Sequence, residues 1–251
     1  MDQRYRQMIA NEFRNCVNNT IKRLQGEATY RPFHSALLSE EALFGSRFER
    51  SFSTSFGQRV IEEIARLVAF SNGASEAQRQ KETFINLDNA YSVAISAHMQ
   101  GLRNGRHSDW NTTIATLRAI PLSGTVTPIR IISDLWWQKD GINNYISLKT
   151  VKPNIDQTAV AKEDCLRLTL ADPNCNTYFG LPYNPYGENK SDYAHTPPMG
   201  IFDFHHDPVV LIGKEMWDTI GGPGCYEELI DIARAVGVET KQSISRMLSG
   251  R

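Results

Sequence analysis

Two residues in the run "DLWWQKDGINNYISLKT" (134–150) have types and spacing that suit chemistry: Asp134 and Lys149, fifteen positions apart. A carboxylate, a second acid and an ammonium that converge at a strand end are what metal-assisted hydrolysis of a phosphodiester requires. Carboxylate oxygens suit Mg²⁺, a hard cation that keeps several waters. The cation acidifies water and offsets charge on phosphorus, while a lysine orients the nucleophile or meets the developing charge. Ser147 stands where a second carboxylate would make sense, and Glu163 follows on the next helix, with Asp156 and Gln157 one to two turns earlier. The plain alternative is an ion pair across an ordinary hairpin. Against it, both residues lie in strands that read as core, where an unpaired charge is costly to bury.

The elements that must position these groups follow from periodicity. "IRIISDLWW" is β-branched and aromatic, "QKDGIN" is a turn, and "NYISLKTV" returns as a strand. Strand alternation places Ser147, Lys149 and Val151 on one face, a face that Asp134 on the partner strand can share. Pro153 sits at the mouth of a helix, "NIDQTAVAKEDCLRLTLA", whose first turns return over the same end of the sheet. Upstream, residues 4–25 read as an amphipathic helix, and 27–46 as a loop. A second helix begins near Ser55 with the stripe Val60, Ile61, Ile64, Leu67 and Val68, leaving Glu62 and Glu63 to its side. Two or three helices occupy about 75–120, the last capped by Ser108 or Asp109. Downstream come a loop-rich stretch over 172–208, a buried strand "PVVLIG", a helix from "KEMWDTI", and closing helices after Gly224. The fold class is α/β or α+β around a small mixed sheet.

Composition sets outer limits. With 251 residues, 41% of them hydrophobic, the chain can bury a full core, and a net charge of -1 neither demands nor excludes nucleic acid. A DNA binder of this balance must concentrate its lysines and arginines on one face. Four scattered cysteines form no CxxC pair, which argues against a structural zinc module and a disulfide scaffold. A polar N-terminus and the lack of any long apolar run point to no membrane and to the cytoplasm. "FHHDP" (His205, His206, Asp207) looks like a metal cluster, but adjacent strand histidines face opposite ways, so a loop role or DNA contact is expected. "GGPG" (221–224) lacks the Lys and Ser/Thr of a phosphate loop.

The hairpin plus helix resembles the PD-(D/E)XK nuclease core. "SFSTSFGQRVIEEIARLV", "YISLKTVKPNIDQTAVAK" and "LIGKEMWDTI" resemble the type II restriction endonucleases of the TdeIII group, which cut GGNCC-type sites. The resemblance implies a restriction-endonuclease-like core, a small mixed sheet flanked by helices with an added helical N-terminal region. It implies one such domain over 1–251: a mainly helical part to 120, the catalytic hairpin, helix and strand over 121–220, and C-terminal helices over 221–251. Asp134 would be the first acid and Lys149 the lysine. Ser147 departs from the signature, which has Asp or Glu there. In the CCGG-recognising branch, an S-x-K strand borrows a glutamate from the next helix, and Glu163, at Lys149 plus fourteen, fits that arrangement. Glu62 is the other donor. Asp134, Glu163 or Glu62, and the Leu148 carbonyl would hold Mg²⁺.

The implied activity is Mg²⁺-dependent cleavage of double-stranded DNA at a short palindromic GG/CC-type site, leaving 5′-phosphate ends. A homodimer meets a palindrome most simply, and a cognate DNA methyltransferase is the genetic partner. Lys152, Asn154, Gln157 and Thr158 could touch DNA, although helix capping also explains them. The rivals are a nuclease of the same core without sequence preference and a non-catalytic DNA-binding protein that has lost a ligand.

Overall fold

The computed structural model describes residues 1–26, 30–196 and 200–249. The chain runs α1 (Gln3–Gly26), α2 (Pro32–Leu37), α3 (Glu40–Ser55), a π-helical turn (Phe56–Val60), α4 (Ile61–Ser71) and β1 (Glu76–Asp88). It continues through α5 (Asn89–Arg103), α6 (Trp110–Arg118), β2 (Val126–Lys139), β3 (Ile142–Leu148), α7 (Ile155–Ala171) and β4 (Asn176–Leu181). A short 3-10 turn, β5 (Val210–Ile212), α8 (Lys214–Gly221) and α9 (Cys225–Ser249) complete it.

The five strands form one sheet in the order β1-β2-β3-β4-β5. β1, β2 and β3 pair antiparallel; β3, β4 and β5 pair parallel. Helices cover both faces, the mixed α/β arrangement expected of a restriction-endonuclease-like core. On one face Leu135, Trp137 and Ile146 pack against Ile61, Ile64, Leu67 and Val68 of α4, with α1, α8 and α9 behind. On the other, Phe179, Leu181 and Val210 pack against α5, α6 and α7. Each fully buried aliphatic side chain contributes roughly 1.5–3 kcal/mol by leaving water.

The β2–β3 hairpin closes on Asp140 (φ 51°) and Gly141 (φ 77°). Two consecutive left-handed residues make the turn whose twist matches antiparallel strands, and Asp-Gly is a preferred pair there. Gly180 on β4 has a different reason: a Cβ would meet Ile146 Cδ1 at 2.5 Å and Met216 Sδ at 3.0 Å. The space between the β2–β3 hairpin and α8 is filled without it.

Several elements differ from the sequence expectation. Residues 76–88 form the long edge strand β1, not a helix. Their alternation, "EAQRQKETFINLD", is present in the sequence, but polar residues of low β propensity mask it. The loop-rich stretch 172–208 contains β4, a buried strand that lacks a polar alternation. The segment expected as a loop over 27–46 contains α2 and the start of α3, with 27–29 outside the described residues. The second helix therefore starts well before Ser55. Pro153 precedes the helix, and Asn154 is its N-cap. Val151 lies beyond the end of β3, and a single helix, α9, follows Gly224. Asp109 caps α6 as expected, accepting from Thr112 N. No described helix is long and apolar enough to cross a membrane.

Candidate active site

β3 pairs with β2 only from Leu135–Ile146 outward to the turn. Beyond that pair the two strands part, and the next residues face each other as Asp134 and Ser147. The backbone N–H of Leu148 donates to Asp134 Oδ2 at 2.7 Å, in place of a ladder bond. Ser147 Oγ donates to the same oxygen at 3.3 Å, and Lys149 Nζ at 3.1 Å. Three donors on one oxygen fix the carboxylate and leave Oδ1 directed elsewhere. Lys149 is tied down in turn by β4, its N–H donating to Gly180 O at 3.0 Å. The two charged side chains are about four-fifths buried, at 20% and 22% exposure. Each therefore needs the other, because removing one partner would strand a charge in a poorly solvated place.

The second acid comes from α4. Gln80 Nε2 donates to Asp134 Oδ1 at 3.1 Å and to Glu62 Oε1 at 3.0 Å, so one amide nitrogen lies between two carboxylates from different elements. Glu63, the neighbouring residue, is engaged instead with Arg66 and Arg79. Burial pushes the Glu62 carboxyl above its usual range, and the nearby Asp134 charge adds to the rise, while the Gln80 hydrogen bond opposes it.

Glu163 and Asp164 lie side by side on α7. Glu163 Oε1 accepts from Arg167 Nη2 at 2.6 Å, an i,i+4 ion pair along the helix. Burial raises the Asp164 carboxyl, and the charges of Arg167, at 3.4 Å, and Lys149 partly oppose that. Asp134, Lys149, Ser147 and Glu62 are thus brought into one connected group. Glu163 is held by Arg167 beside it.

The residues expected to touch DNA begin α7. Asn154 Oδ1 accepts from Gln157 N at 2.8 Å, and the buried Thr158 hydroxyl donates to Asn154 O at 2.8 Å, so capping accounts for both. Gln157 is exposed, and Lys152 lies over the Tyr186 ring at 5.3 Å. The "FHHDP" histidines take loop roles: His205 Nε2 meets Tyr193 O, and His206 Nδ1 meets Asp203. Asp207 is buried, accepting from Trp110 N and Asp203 N.

Among the described residues no three His, Cys, Asp or Glu side chains form a ready metal cluster. The donor set nonetheless fits a hard divalent cation. Two carboxylates with free lone pairs meet at a partly buried spot, and neither thiolate nor imidazole competes there. Leu148, whose carbonyl is the expected main-chain ligand, lies between Ser147 and Lys149 and reaches Asp134 through its N–H.

Two features escape a reading of the sequence. Gln80 is one, because the polar run around it does not announce a strand. The other is a groove of about 250 Å³ beside α3 where, among the described residues, Arg23, Arg31, Arg47 and Arg50 line the wall and no carboxylate does. Arg47 Nε is buried there without a hydrogen-bond partner. The groove gathers four arginines in a chain whose net charge is -1. Charged helix faces of this kind are invisible until α1 and α3 are packed together.

Comparison with known proteins adds an independent line. A family model described as "Type II restriction endonuclease, HinfI" matches residues 1–237. The type II restriction enzymes HgiEI and HgiCII of Herpetosiphon aurantiacus are each 29% identical over 252 residues, covering 97% of this chain and 90% of theirs. HgiBI of the same organism matches to the same extent.

Proposed function

Because the chain belongs to the HinfI family of type II restriction endonucleases, site-specific deoxyribonucleases, we propose that Asp134, Lys149 and Glu62 form its Mg²⁺-dependent cleavage site. The observation that carries this is the single Asp134 carboxylate, gripped through one oxygen by Leu148 N–H and Lys149 and joined through the other to Glu62 by Gln80.

Asp134 and Glu62, with the Leu148 carbonyl, would hold the cation. When bound, Mg²⁺ supplies Lewis acidity, acidifying water and offsetting charge on the phosphate. Asp134 does two further things. Its Oδ2 holds the Lys149 ammonium in one direction, and its fixed rotamer sets where the phosphate must sit. Lys149 then orients the attacking water and donates to the phosphate oxygen that gains charge in the transition state. In-line displacement breaks the bond to the 3′ oxygen, giving 5′-phosphate and 3′-hydroxyl ends. On α7, Asp164 and Glu163 stand as further acids, held by Arg167.

The arginine groove supports a path for the DNA backbone. Arg50 and Glu62 lie twelve residues apart on one helical rod, about 18 Å at the helical rise, or about five base pairs of duplex. Lys152 and Gln157 are exposed near the start of α7 and are proposed to meet DNA on that side. A palindromic site of the GGNCC kind, read by a homodimer and protected in the cell by a cognate methyltransferase, completes the reading; it rests on the resemblance of the SLKTVKPN run.

Digestion of a plasmid of known sequence tests the whole. Discrete bands that map to one short palindrome, present with Mg²⁺ and abolished by EDTA, are expected. A smear would mean a nuclease without sequence preference, and no cleavage with any divalent cation would mean a DNA-binding protein.

A further inference from the structure

Gln80 is a polar residue in a place that backbone geometry reserves for glycine. Its φ is 48°, the left-handed region, inside an otherwise extended strand. A non-glycine residue is strained there. The conformation has a visible effect on β1. Before Gln80, Ala77 packs with the α4 layer and Arg79 reaches Glu63 and the Arg59 carbonyl on that side. After it, Lys81 lies over the Trp136 ring and Ile85 packs on the opposite face. Odd-numbered residues therefore change face across Gln80.

The pairing with β2 keeps one register on both sides, Arg79 with Leu135 and Lys81 with Ser133, and omits only Gln80 and Asp134. The two residues face each other at the break. Glycine would reverse the pleat without strain. Glutamine reverses it and also sends an amide to Asp134 Oδ1 and Glu62 Oε1. Among the described residues this amide is the hydrogen-bonded link from Glu62 to the catalytic strand, since the neighbouring Glu63 is occupied by arginines.

We propose that Gln80 is the positioning residue of the cation site: its amide holds the Glu62 and Asp134 carboxylates together and thereby sets the affinity for a divalent cation. The inference rests on Asp134 and Glu62 being the ligands. Without the amide, two like charges on separate elements repel, and Glu62 is free to turn toward solvent. The strained backbone persists because it aims the side chain. Removing a group that orients a metal ligand commonly weakens binding 10–100-fold.

The test is calorimetric titration of the full chain with Ca²⁺, which probes the oxygen site without relying on cleavage, alongside thermal unfolding. Glu62→Gln and Asp134→Asn are the controls. If neither weakens Ca²⁺ binding, the ligand assignment itself fails. If both do, Gln80→Gly decides the inference: Tm is expected to hold or rise as strain is relieved, while Ca²⁺ affinity falls about tenfold or more. Gln80→Asn keeps an amide and suits a left-handed backbone, but its shorter side chain cannot span both acids. It should show the same loss with the fold intact. Native or tighter Ca²⁺ affinity in either variant, whatever happens to Tm, overturns the proposal.

Discussion

Ser147 faces Asp134 where β2 and β3 part, and its hydroxyl donates to the Asp134 carboxylate at 3.3 Å. On the proposed assignment, the position that carries an acid in the resembled signature would here hold the first acid instead. It is the longest of three bonds to that oxygen, the others being 2.7 and 3.1 Å. Ser147→Ala should slow cleavage by no more than about tenfold, the scale of one ordinary net hydrogen bond. Complete loss in single-turnover assays would give the serine a direct part in the reaction.

Lys149 is the group with no substitute. Lys149→Ala is expected to reduce cleavage by about 10²–10³-fold or more, as loss of a transition-state donor does. DNA binding, measured by gel shift with Ca²⁺, should be largely retained. A variant that still cuts plasmid at the native rate removes the lysine from the mechanism.

The two glutamates should separate. Glu62 is joined to Asp134 through Gln80, whereas Glu163 is joined to Arg167. Glu62→Gln is expected to lower cleavage by at least about 10²-fold at saturating Mg²⁺, a loss of the size seen when a transition-state stabilising group is removed. Glu163→Gln should lose about 0.3–0.5 kcal/mol of helix stability from its i,i+4 pair and retain most activity. The reverse ranking would move the second acid to α7.

Salt dependence reports the groove. Arg47→Ala with Arg50→Ala should weaken DNA binding uniformly across sequences and make the slope of log K against log salt shallower by about 1–2, one for each phosphate that is no longer neutralised. Cutting at saturating DNA should be unaltered. An unchanged slope would take DNA off this face.

His98 on α5 gives the acid limb of stability. Burial pulls its imidazole down to about 4, and the Lys162 charge adds to the fall; its Nε2 has no partner. An unfolded histidine takes its proton near 6.5. Between about 6.5 and about 4 the unfolded chain binds a proton that the folded chain refuses, so this part of stability is complete above 6.5 and is lost as pH falls toward 4. Thermal melts of His98→Gln should be flatter across that window. A native-like slope would place the acid sensitivity elsewhere.

What was legible in the sequence was the local chemistry. The Asp-Gly turn, the apolar strands beside it and the helix after Asn154 are written in adjacent residues, so the Asp134–Lys149 pair followed from period and turn alone. Ser147 marked the missing acid. What was not legible depends on distant packing. Glu62 reaches the site only through a residue of β1, a strand whose polar run hid it. The arginine groove exists only once α1 and α3 meet. The S-x-K resemblance placed Glu163 slightly above Glu62, and no local pattern could show that Arg167 would hold Glu163 while Gln80 joined Glu62 to Asp134.

The Asp140–Gly141 turn lies six residues from Asp134, about 20 Å along the ribbon. Because successive side chains of a strand point to opposite sides, adding one amino acid to that bend would invert every partner between it and the parting of the strands. Ser147 and Lys149 would then look away from the carboxylate with no reacting group altered. Length at this remote corner is under the same constraint as the chemistry itself, because an insertion that shifted the register would turn Ile146 out of the core as it turned Lys149 away from Asp134.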